Sequence, residues 1–283
     1  MDLIQKTDNM DYRKIILAAL LAACSCSIRE EREGCPCILT ITSDRESVWH
    51  YTIPPEESVY RQGIPYPVNL KISMGGYIAY DNPGAFPSTQ KEEKIEIVKG
   101  QALVTYHTTL VNAVENRDGI TIAKGQQWDR LFIGRDNVFC EGETARDTLH
   151  FRKEHCIIWL HMAGMPAGDG CPFSSLITGN VIGIEPETLS PVKGEFQCIP
   201  ERLETFVFQA VVPRQTDDSL SLELTDDSGR THTYDIGKSI ADAGYDWGKE
   251  DLDNLTLTVE YGIPGISVTV LPWEEYPVPD MTL

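Results

Sequence analysis

The sequence predicts an all-β protein built from two tandem antiparallel β-sandwich domains. Three observations support this prediction. Apolar and polar residues alternate with a period of two in many short segments, these segments are rich in β-branched and aromatic residues, and Gly, Pro, Asn and Asp separate them. The alternation restarts near residue 154, and the 283-residue chain is long enough for two cores or for one large sandwich.

The first 23 residues have the layout of an export signal. Arg13 and Lys14 precede an unbroken apolar stretch over residues 15–23, and the stretch ends in small side chains. A membrane-spanning helix needs about 20 apolar residues, so this stretch is too short to span a bilayer. A signal that starts at Met10 would have conventional length, which leaves the start of the protein open between Met1 and Met10.

The segment Leu21-Ala22-Ala23-Cys24 resembles a bacterial lipobox. In signals of that class the cysteine sulfur receives a diacylglyceryl group and the cysteine becomes the mature N-terminus. Each buried methylene contributes about 0.8 kcal/mol, so two or three acyl chains hold a protein on a bilayer. The resemblance therefore implies lipidation at Cys24 and a polar tether over residues 24–34. A conventional signal that is cut near a cysteine is the alternative.

Charge and cysteine content narrow the class of protein. The formal net charge is −19, from 43 acidic and 24 basic residues, and it repels phosphate backbones, so nucleic acid is not an expected partner. Eight cysteines behind an export signal indicate an oxidising compartment. With Cys24 lipidated and Cys26 beside the anchor, six cysteines remain that could form structural disulfides, in fifteen possible pairings, or stay as free thiols. They are Cys35, Cys37, Cys140, Cys156, Cys171 and Cys198.

The first sandwich is predicted to span residues 35–150. Its predicted strands share the two-residue alternation and lie at residues 38–42, 94–98, 103–107 and 128–133. The polar stretch 141–153 is interpreted as a linker or domain boundary, although Leu149 and Phe151 could add one more strand.

The second sandwich is predicted to span residues 151–283. Its predicted strands lie at residues 155–162, 181–184, 206–212, 255–260 and 266–271, with a hairpin around residues 225–229. A short helical segment is expected over residues 236–244, where Gly244 would end it.

Several short patterns near the two ends of the chain occur together in one family of proteins. The patterns are Glu31-Arg32, Cys35-Pro36, Gly244-Tyr245-Asp246-Trp247, Asp251-Leu252 and the closing strand 266–271 followed by Pro272-Trp273. Together with the lipobox they resemble the FimB-type fimbrial anchor family, which are lipoproteins of Bacteroides-type bacteria. The resemblance implies that both sandwiches are transthyretin-like and that acyl chains on Cys24 attach the protein to the outer membrane, exposed at the cell surface. It also implies that the partners are fimbrial subunits, and that the protein anchors a fimbria and limits its length.

Strand addition is the expected mode of binding, because an extended segment of a neighbour can complete a sheet through backbone hydrogen bonds. In fimbrial subunits of this group, by the same resemblance, a protease opens the groove when it removes the first strand after a basic residue. A cut at Arg32 would separate this protein from its lipid. An anchor should therefore keep its first strand, near Cys37 to Thr42, and join the filament by another edge or by its C-terminal strand.

A glycan-binding surface lipoprotein is the alternative function. It would need exposed aromatic side chains in one plane, and the neighbouring candidates are Trp49 with Tyr51 and Tyr77 with Tyr80. An enzyme is not expected, because the chain has no Gly-x-Ser-x-Gly elbow, phosphate-binding glycine loop or His-Glu-x-x-His helix.

No metal or cofactor is predicted. His155 and His161 share one face of a strand but have no third ligand, and Cys35-Pro36-Cys37 lacks the spacer of a zinc site. Tyr245 and Trp247 are interpreted as a structural plug of the second sandwich, with Asp246 or Asp251 accepting backbone N–H groups. The acidic residues of this region are interpreted as solvated rather than calcium-binding. They are Asp242, Asp246, Glu250, Asp251 and Asp253.

Overall fold

The computed structural model describes residues 35–43, 68–86, 92–164, 173–260 and 266–271. Within these ranges the chain forms nineteen β-strands and one short helix, which confirms the all-β class. The strands of the first part are β1 (Pro36–Ser43), β2 (Val68–Met74), β3 (Tyr77–Ala85), β4 (Glu92–Val98), β5 (Gly100–Thr108), β6 (Val114–Asn116), β7 (Gly119–Thr121), β8 (Phe132–Cys140), β9 (Thr144–Leu149) and β10 (Arg152–Lys153).

The rest of the described chain adds nine strands and the helix. They are β11 (His155–Ala163), β12 (Phe173–Glu185), β13 (Ser190–Cys198), β14 (Glu201–Glu204), β15 (Val207–Pro213), β16 (Ser221–Asp226), β17 (Thr231–Tyr234), α1 (Ile236–Asp242), β18 (Asn254–Glu260) and β19 (Ile266–Leu271). In the ranges that the structure describes, no helix is both long and apolar enough to cross a membrane.

The strands form four sheets. Sheet 1 has the order β4-β1-β9 and sheet 2 has the order β10-β8-β5-β2-β3. Sheet 3 has the order β14-β15-β11-β18-β19, and sheet 4 has the order β17-β16-β12-β7-β6, with β13 paired to β12 outside that order. Most neighbours are antiparallel, as predicted, but β1 pairs with β9 and β11 pairs with β18 in parallel. Alternation of apolar residues carries no information about strand direction, so the sequence did not predict these two pairs.

Two hydrophobic cores result. The first core draws buried side chains from sheets 1 and 2, among them Cys37, Leu39, Ile41, Leu70, Ile72, Val104 and Tyr106. The second core draws them from sheets 3 and 4 and from α1, among them Ile158, Leu160, Ile177, Ala210, Leu222, Ile236 and Leu257.

The segment between β5 and β8 leaves the first core and returns to it. Its hairpin β6–β7 pairs with β12 of sheet 4, where Ile120 lies opposite Ile184. Ile120 and Trp128 of this segment are buried in the second core. A Cβ atom at Gly183 would lie 2.0 Å from the carbonyl oxygen of Ile120, so this contact requires glycine. The domain division at residue 150 stays a prediction. The β6–β7 hairpin precedes residue 150 in the sequence but pairs with β12, which follows it.

Two local predictions need correction. The stretch 141–153 is more than a linker, because it contains β9, which pairs with β1 over six positions, and β10. The strand predicted over residues 128–133 begins only at Phe132, since Trp128 and Leu131 are buried in the second core outside any strand. Strands β2, β3, β6, β7, β13 and β14 were not predicted.

The helix prediction is confirmed. The side chain of Asp235 caps α1 by accepting a hydrogen bond from the backbone N–H of Lys238 at 3.0 Å. Gly244 follows the helix with φ of 78°, the left-handed conformation that glycine adopts without strain.

Candidate functional site

The first described strand lies inside its sheet. β1 pairs with β4 over seven positions on one edge and with β9 over six positions on the other. Leu39 and Ile41 are fully buried in the first core. At the end of the strand the hydroxyl of Thr42 donates to the carbonyl of Asp147 at 3.2 Å and shares a 2.9 Å hydrogen bond with the hydroxyl of Thr148. Both backbone edges and the inner face of β1 are therefore occupied.

The last described strand lies at an edge. β19 pairs with β18 over six positions, and none of the strands that the structure describes pairs with its other edge. Thr269 is exposed and Val270 packs partly against the second core. The sequence of β19, Ile-Ser-Val-Thr-Val-Leu, contains no charge and no proline.

Most other described edges carry features that discourage pairing with another chain. Charged side chains, prolines and irregular registers weaken an edge as a template for a further strand. Strands β4, β9, β13 and β14 carry charges, and β3 contains Asp81, Pro83 and two register shifts against β2. β6, β10 and β17 have four residues or fewer. β19 is therefore the best template for strand addition in the described part of the chain.

The segment after α1 acts as the predicted plug. The rings of Tyr245 and Trp247 meet edge to face with 4.7 Å between centroids, and Tyr245 is buried. The Tyr245 hydroxyl donates to the carbonyl of Asp253 at 2.7 Å. Asp246 accepts the backbone N–H of Gly248 at 2.8 Å, and Asp251 accepts that of Lys153 at 2.9 Å. Asp246 thus accepts at a turn as the sequence predicted, whereas Asp251 accepts an N–H of strand β10 and not one of a turn or helix start.

A buried charged cluster lies beside this plug and was not predicted. Glu154 is 2% exposed and forms ion pairs with Arg152 at 2.6 Å and with Arg214 at 2.8 Å. Burial raises the pKa of Glu154, while the two guanidinium groups oppose that shift. Arg214 also donates to backbone carbonyls of residues 247, 249 and 250, so it connects the plug to the start of β11.

Lys153 is the second unpredicted member of this region. Its side chain is almost fully buried, and its ammonium group donates to the carbonyl of Leu252 at 2.6 Å and to the Asn254 side chain at 2.8 Å. Burial lowers the pKa of Lys153 to about 8. Three consecutive polar residues, Lys153-Glu154-His155, directly before an apolar strand are the sequence signal that could have indicated a buried polar site.

An open cavity of about 730 Å³ lies on sheet 2. Its wall includes Tyr77 and the glycines of the β2–β3 turn, together with polar side chains of Gln101, Asn137 and Glu187. Tyr77 is 52% exposed, and Phe139, which pairs with Gln101, is 66% exposed on the same sheet. Tyr80 is not part of this wall, because it packs partly on the first core and its hydroxyl donates to Glu93.

The two histidines that were weighed as metal ligands have different surroundings. His155 is fully buried and its Nδ1 lies 3.1 Å from the carbonyl of Leu131, whereas His161 is partly exposed. Asp253 forms an ion pair with Lys249 at 2.8 Å. Across the described ranges, no three His, Cys, Asp or Glu side chains form a group that could hold a metal ion.

The cysteines divide between the two cores. Cys37 and Cys140 are buried in the first core, Cys156 and Cys198 in the second, and Cys35 is partly exposed, all as free thiols. Cys24, Cys171, Trp49 and Tyr51 lie outside the described residues.

No family model matches the chain, and no curated protein matches it in sequence. Solved structures do match it. A candidate polysaccharide-binding protein from Bacteroides thetaiotaomicron has a TM-score of 0.58 at 12% identity, covering 84% of this chain and 96% of that one. The fimbrial anchor protein Mfa2 from Porphyromonas gingivalis has a TM-score of 0.55 at 11% identity, covering 84% and 98%. A candidate adhesin from Bacteroides ovatus has a TM-score of 0.53 at 11% identity, covering 87% and 95%.

These three proteins are described as a polysaccharide-binding protein, a fimbrial anchor and an adhesin, and none is described as an enzyme. At such low sequence identity the likeness concerns the path of the chain and not the identity of site residues. The chain therefore has the fold shared by these three proteins, the Porphyromonas gingivalis fimbrial anchor among them.

Proposed function

We propose that the protein is a lipid-anchored outer-membrane protein that holds a fimbria and limits its length by binding the first subunit. The fold shared with a fimbrial anchor supports this proposal, as does the lipobox-like segment that ends at Cys24. The observation on which it chiefly rests is the contrast between β1, which lies inside its sheet, and β19, which is an uncharged edge.

The position of β1 suits a subunit that keeps its first strand. Removal of β1 would break its pairing with β4 and with β9 and would expose Leu39 and Ile41. A chain that kept its lipid on Cys24 would also keep the tether that leads into β1. The protein would then accept no donor strand at this position, and the filament would have to join elsewhere.

The position of β19 suits a strand-addition contact. An incoming extended segment would pair with the outer edge of β19, which no described strand pairs with and whose sequence carries no charge to bury. α1 also approaches β19, so the segment would enter beside this helix. Backbone pairing gives affinity with little sequence demand, and a fimbrial subunit with an exposed extended segment meets this requirement.

A pair of proline substitutions tests this contact. Successive N–H groups along a strand point to opposite edges, so of Thr269→Pro and Val270→Pro one removes an N–H that faces β18 and the other removes an outward N–H. Only the variant that loses the N–H facing β18 should have a lower Tm. We expect the variant with the unchanged Tm to shed fimbriae from cells of the native bacterium, measured by electron microscopy and by the fimbrial protein found in the medium.

Thr269→Lys is the second variant, because it places a charge at an exposed position of the edge without loss of core contacts. It should shed fimbriae as well. If the folded proline variant and Thr269→Lys both retained fimbriae of normal length, β19 would not be the contact.

Membrane attachment has its own test. Cys24→Ala should move the protein from the membrane fraction to the soluble fraction, because the sulfur that carries the acyl chains is gone. Retention of the Cys24→Ala protein in the membrane fraction would contradict lipid anchoring and leave the β19 contact to be judged separately.

Glycan binding is the second candidate function, and the sheet-2 cavity favours it. A half-exposed tyrosine beside amide and carboxylate side chains can stack on a sugar ring and accept or donate to its hydroxyls. A glycan array should then give signals that Tyr77→Ala and Asn137→Ala abolish. Signals that survive both substitutions, or an array with no signal, would argue against a saccharide site in this cavity.

A further inference from the structure

Cys37 and Cys140 lie at the end of the first core where the chain passes twice between its two sheets. Cys37 belongs to β1 of sheet 1, and Cys140 is the last residue of β8 in sheet 2. The chain crosses between these sheets from β4 to β5 through Lys99 and from β8 to β9 through residues 141–143. Sheets must approach each other at such crossings, because each connection is only one to three residues long.

The strand registers place the two cysteines against these same crossings. Cys37 lies opposite Ile97, and Cys140 lies opposite Gly100, three residues further along the chain. The backbone N–H of Ile38 donates to the carbonyl of Glu143 at 2.9 Å. Ile38 directly follows Cys37 in the sequence, and Glu143 lies three residues after Cys140. The backbone N–H of Lys99 donates to the carbonyl of Cys35 at 2.9 Å.

Both thiols lie in the same core. Cys37 and Cys140 are each 0% exposed and belong to the same hydrophobic cluster. Burial and the neighbouring Cys37 thiol raise the pKa of Cys140 to about 11. A thiol attacks a disulfide as the thiolate, and a raised pKa makes the thiolate rare in the folded core. Oxidation of Cys37 and Cys140 would therefore take place during folding, before the core closes.

The other described cysteines have different surroundings. The Cys156 thiol lies against Lys153 and Tyr245 in the second core, and Cys198 is buried in the second core as the last residue of β13. Cys35 is partly exposed at the start of β1, on the side of the strand that it shares with Cys37. Cys35 is therefore the competitor that an experiment must separate from Cys37.

We propose that Cys37 and Cys140 form a disulfide that fixes the first strand to sheet 2. The oxidant is a disulfide of the thiol–disulfide oxidoreductase or glutathione class. One cysteine thiolate attacks a sulfur of that disulfide and releases one reduced thiol, and the second cysteine displaces the other. The S–S bond of the oxidant breaks, the Cys37–Cys140 bond forms, and the two electrons and two protons of the cysteines leave with the two thiols of the reduced oxidant.

The bond would make β1 a permanent member of its sheet. A protease cut at Arg32 would then remove the tether but not the strand, since Cys37 would remain covalently attached to Cys140. The Cys37–Cys140 bond can form whether or not the protein is an anchor. Its use in retaining the first strand of an anchor rests on the proposed function.

Peptide mapping of the full chain tests the proposal. The protein is unfolded and reduced, refolded in a mixture of oxidised and reduced glutathione, alkylated and cut with trypsin without reduction. Trypsin leaves Cys35 and Cys37 together in the peptide 33–45 and Cys140 alone in the peptide 136–146. We expect these two peptides to be joined, with a mass two hydrogen atoms below the sum of the peptide 136–146 and the peptide 33–45 alkylated once, at Cys35.

Substitutions then assign the bond. The joined peptides should disappear in Cys37→Ser and persist in Cys35→Ser, and a reductant should lower Tm by about 5 °C or more in Cys35→Ser but not in Cys37→Ser. Alkylated thiols at both Cys37 and Cys140, or joined peptides that persist in Cys37→Ser, would overturn the proposal. Neither result would bear on fimbrial retention, so the bond and the anchoring function can fail independently.

Discussion

Strands β1 and β11 occupy equivalent positions in the two parts of the molecule but meet different surroundings. Each is a central strand with an antiparallel neighbour on one edge, β4 or β15, and a parallel neighbour on the other, β9 or β18. β1 alternates between buried and exposed residues, whereas residues 155–160 of β11 are all buried. The same strand pairing thus occurs in β1, which is buried on one face, and in β11, which is buried on both faces.

The second covering layer of β11 comes from segments outside the regular sheets. His155 on one face contacts the carbonyl of Leu131, and Cys156 on the other face contacts Tyr245 of the plug. Both segments carry polar backbone groups into the interior, where each needs a hydrogen-bond partner. The Leu131 carbonyl accepts the backbone N–H of Glu154, and the carbonyls of the plug accept from the buried Lys153 and the partly buried Arg214. Among the described residues, β1 has no corresponding cluster.

Removal of the Arg214 guanidinium should have the largest effect on stability among the tests of this comparison. Arg214→Met leaves Glu154 buried with Arg152 as its remaining ion-pair partner and frees carbonyls of the plug. We expect the free energy of unfolding in urea to fall by about 4 kcal/mol. Arg230→Met is the matched control, because that side chain is 74% exposed in its pair with Asp226, and its loss should cost less than about 1 kcal/mol. Equal losses in the two variants would show that the buried cluster adds no stability of its own.

The second test compares the outer faces of the two strands directly. Ile157 in β11 is 1% exposed and Ile38 in β1 is 36% exposed. Ile157→Ala should cost about 3 kcal/mol in urea unfolding and Ile38→Ala less than about 1 kcal/mol, because only the first leaves a cavity. Similar costs would mean that the outer face of β11 is not covered as described.

These cases show which features the sequence can predict. The alternation of Ile38-Leu39-Thr40-Ile41 is a local signal, and it predicted β1 correctly. The alternation of Val68 to Met74 is as regular, so the sequence contains the signal for β2 as well. The unbroken apolar run of β11 predicted a strand, and such a run is typical of a strand that is buried on both faces, but it does not indicate which segments cover those faces.

The site features depend on contacts between distant residues, which no local pattern encodes. Thr42 meets Asp147 across 105 positions, and Lys153 meets Asn254 across 101. Lys153 and Glu154 therefore look like linker residues until Arg214 and the plug are placed beside them. The edge position of β19 is likewise a property of the sheet, although its lack of charge can be read directly from the sequence.

A third test concerns the hairpin that connects the two parts. In Gly183→Ala the new Cβ atom would meet the carbonyl of Ile120 at 2.0 Å, so β7 would have to move away from β12. We expect a loss of about 2 kcal/mol in urea unfolding. Gly84→Ala is the control, because the nearest atom to its Cβ would be 3.9 Å away and no strain results. A Gly183→Ala protein as stable as Gly84→Ala would show that the hairpin does not hold this register.

The smallest expected effect is a pH dependence that belongs to the second part alone. Burial sets the pKa of Lys153 at about 8, below the value of about 10.4 that an unfolded lysine has. Between these pH values the unfolded chain binds more protons than the folded chain, so the contribution of Lys153 to the free energy of unfolding rises with pH. Below about pH 8 both states hold the proton and the contribution is constant.

Lys153→Met measures this contribution, because the raised pKa of Cys198, which acts in the opposite direction, is common to both proteins and cancels from the difference. Cys156 lies against Lys153, and loss of the lysine charge raises the Cys156 pKa further, which changes the difference in the same direction as the expected effect. The stability of the wild type relative to Lys153→Met should increase by about 2 kcal/mol between pH 7 and pH 10 in urea titrations. A flat difference for Lys153→Met would mean that water reaches its ammonium group, and the start of β11 would then be as open as that of β1.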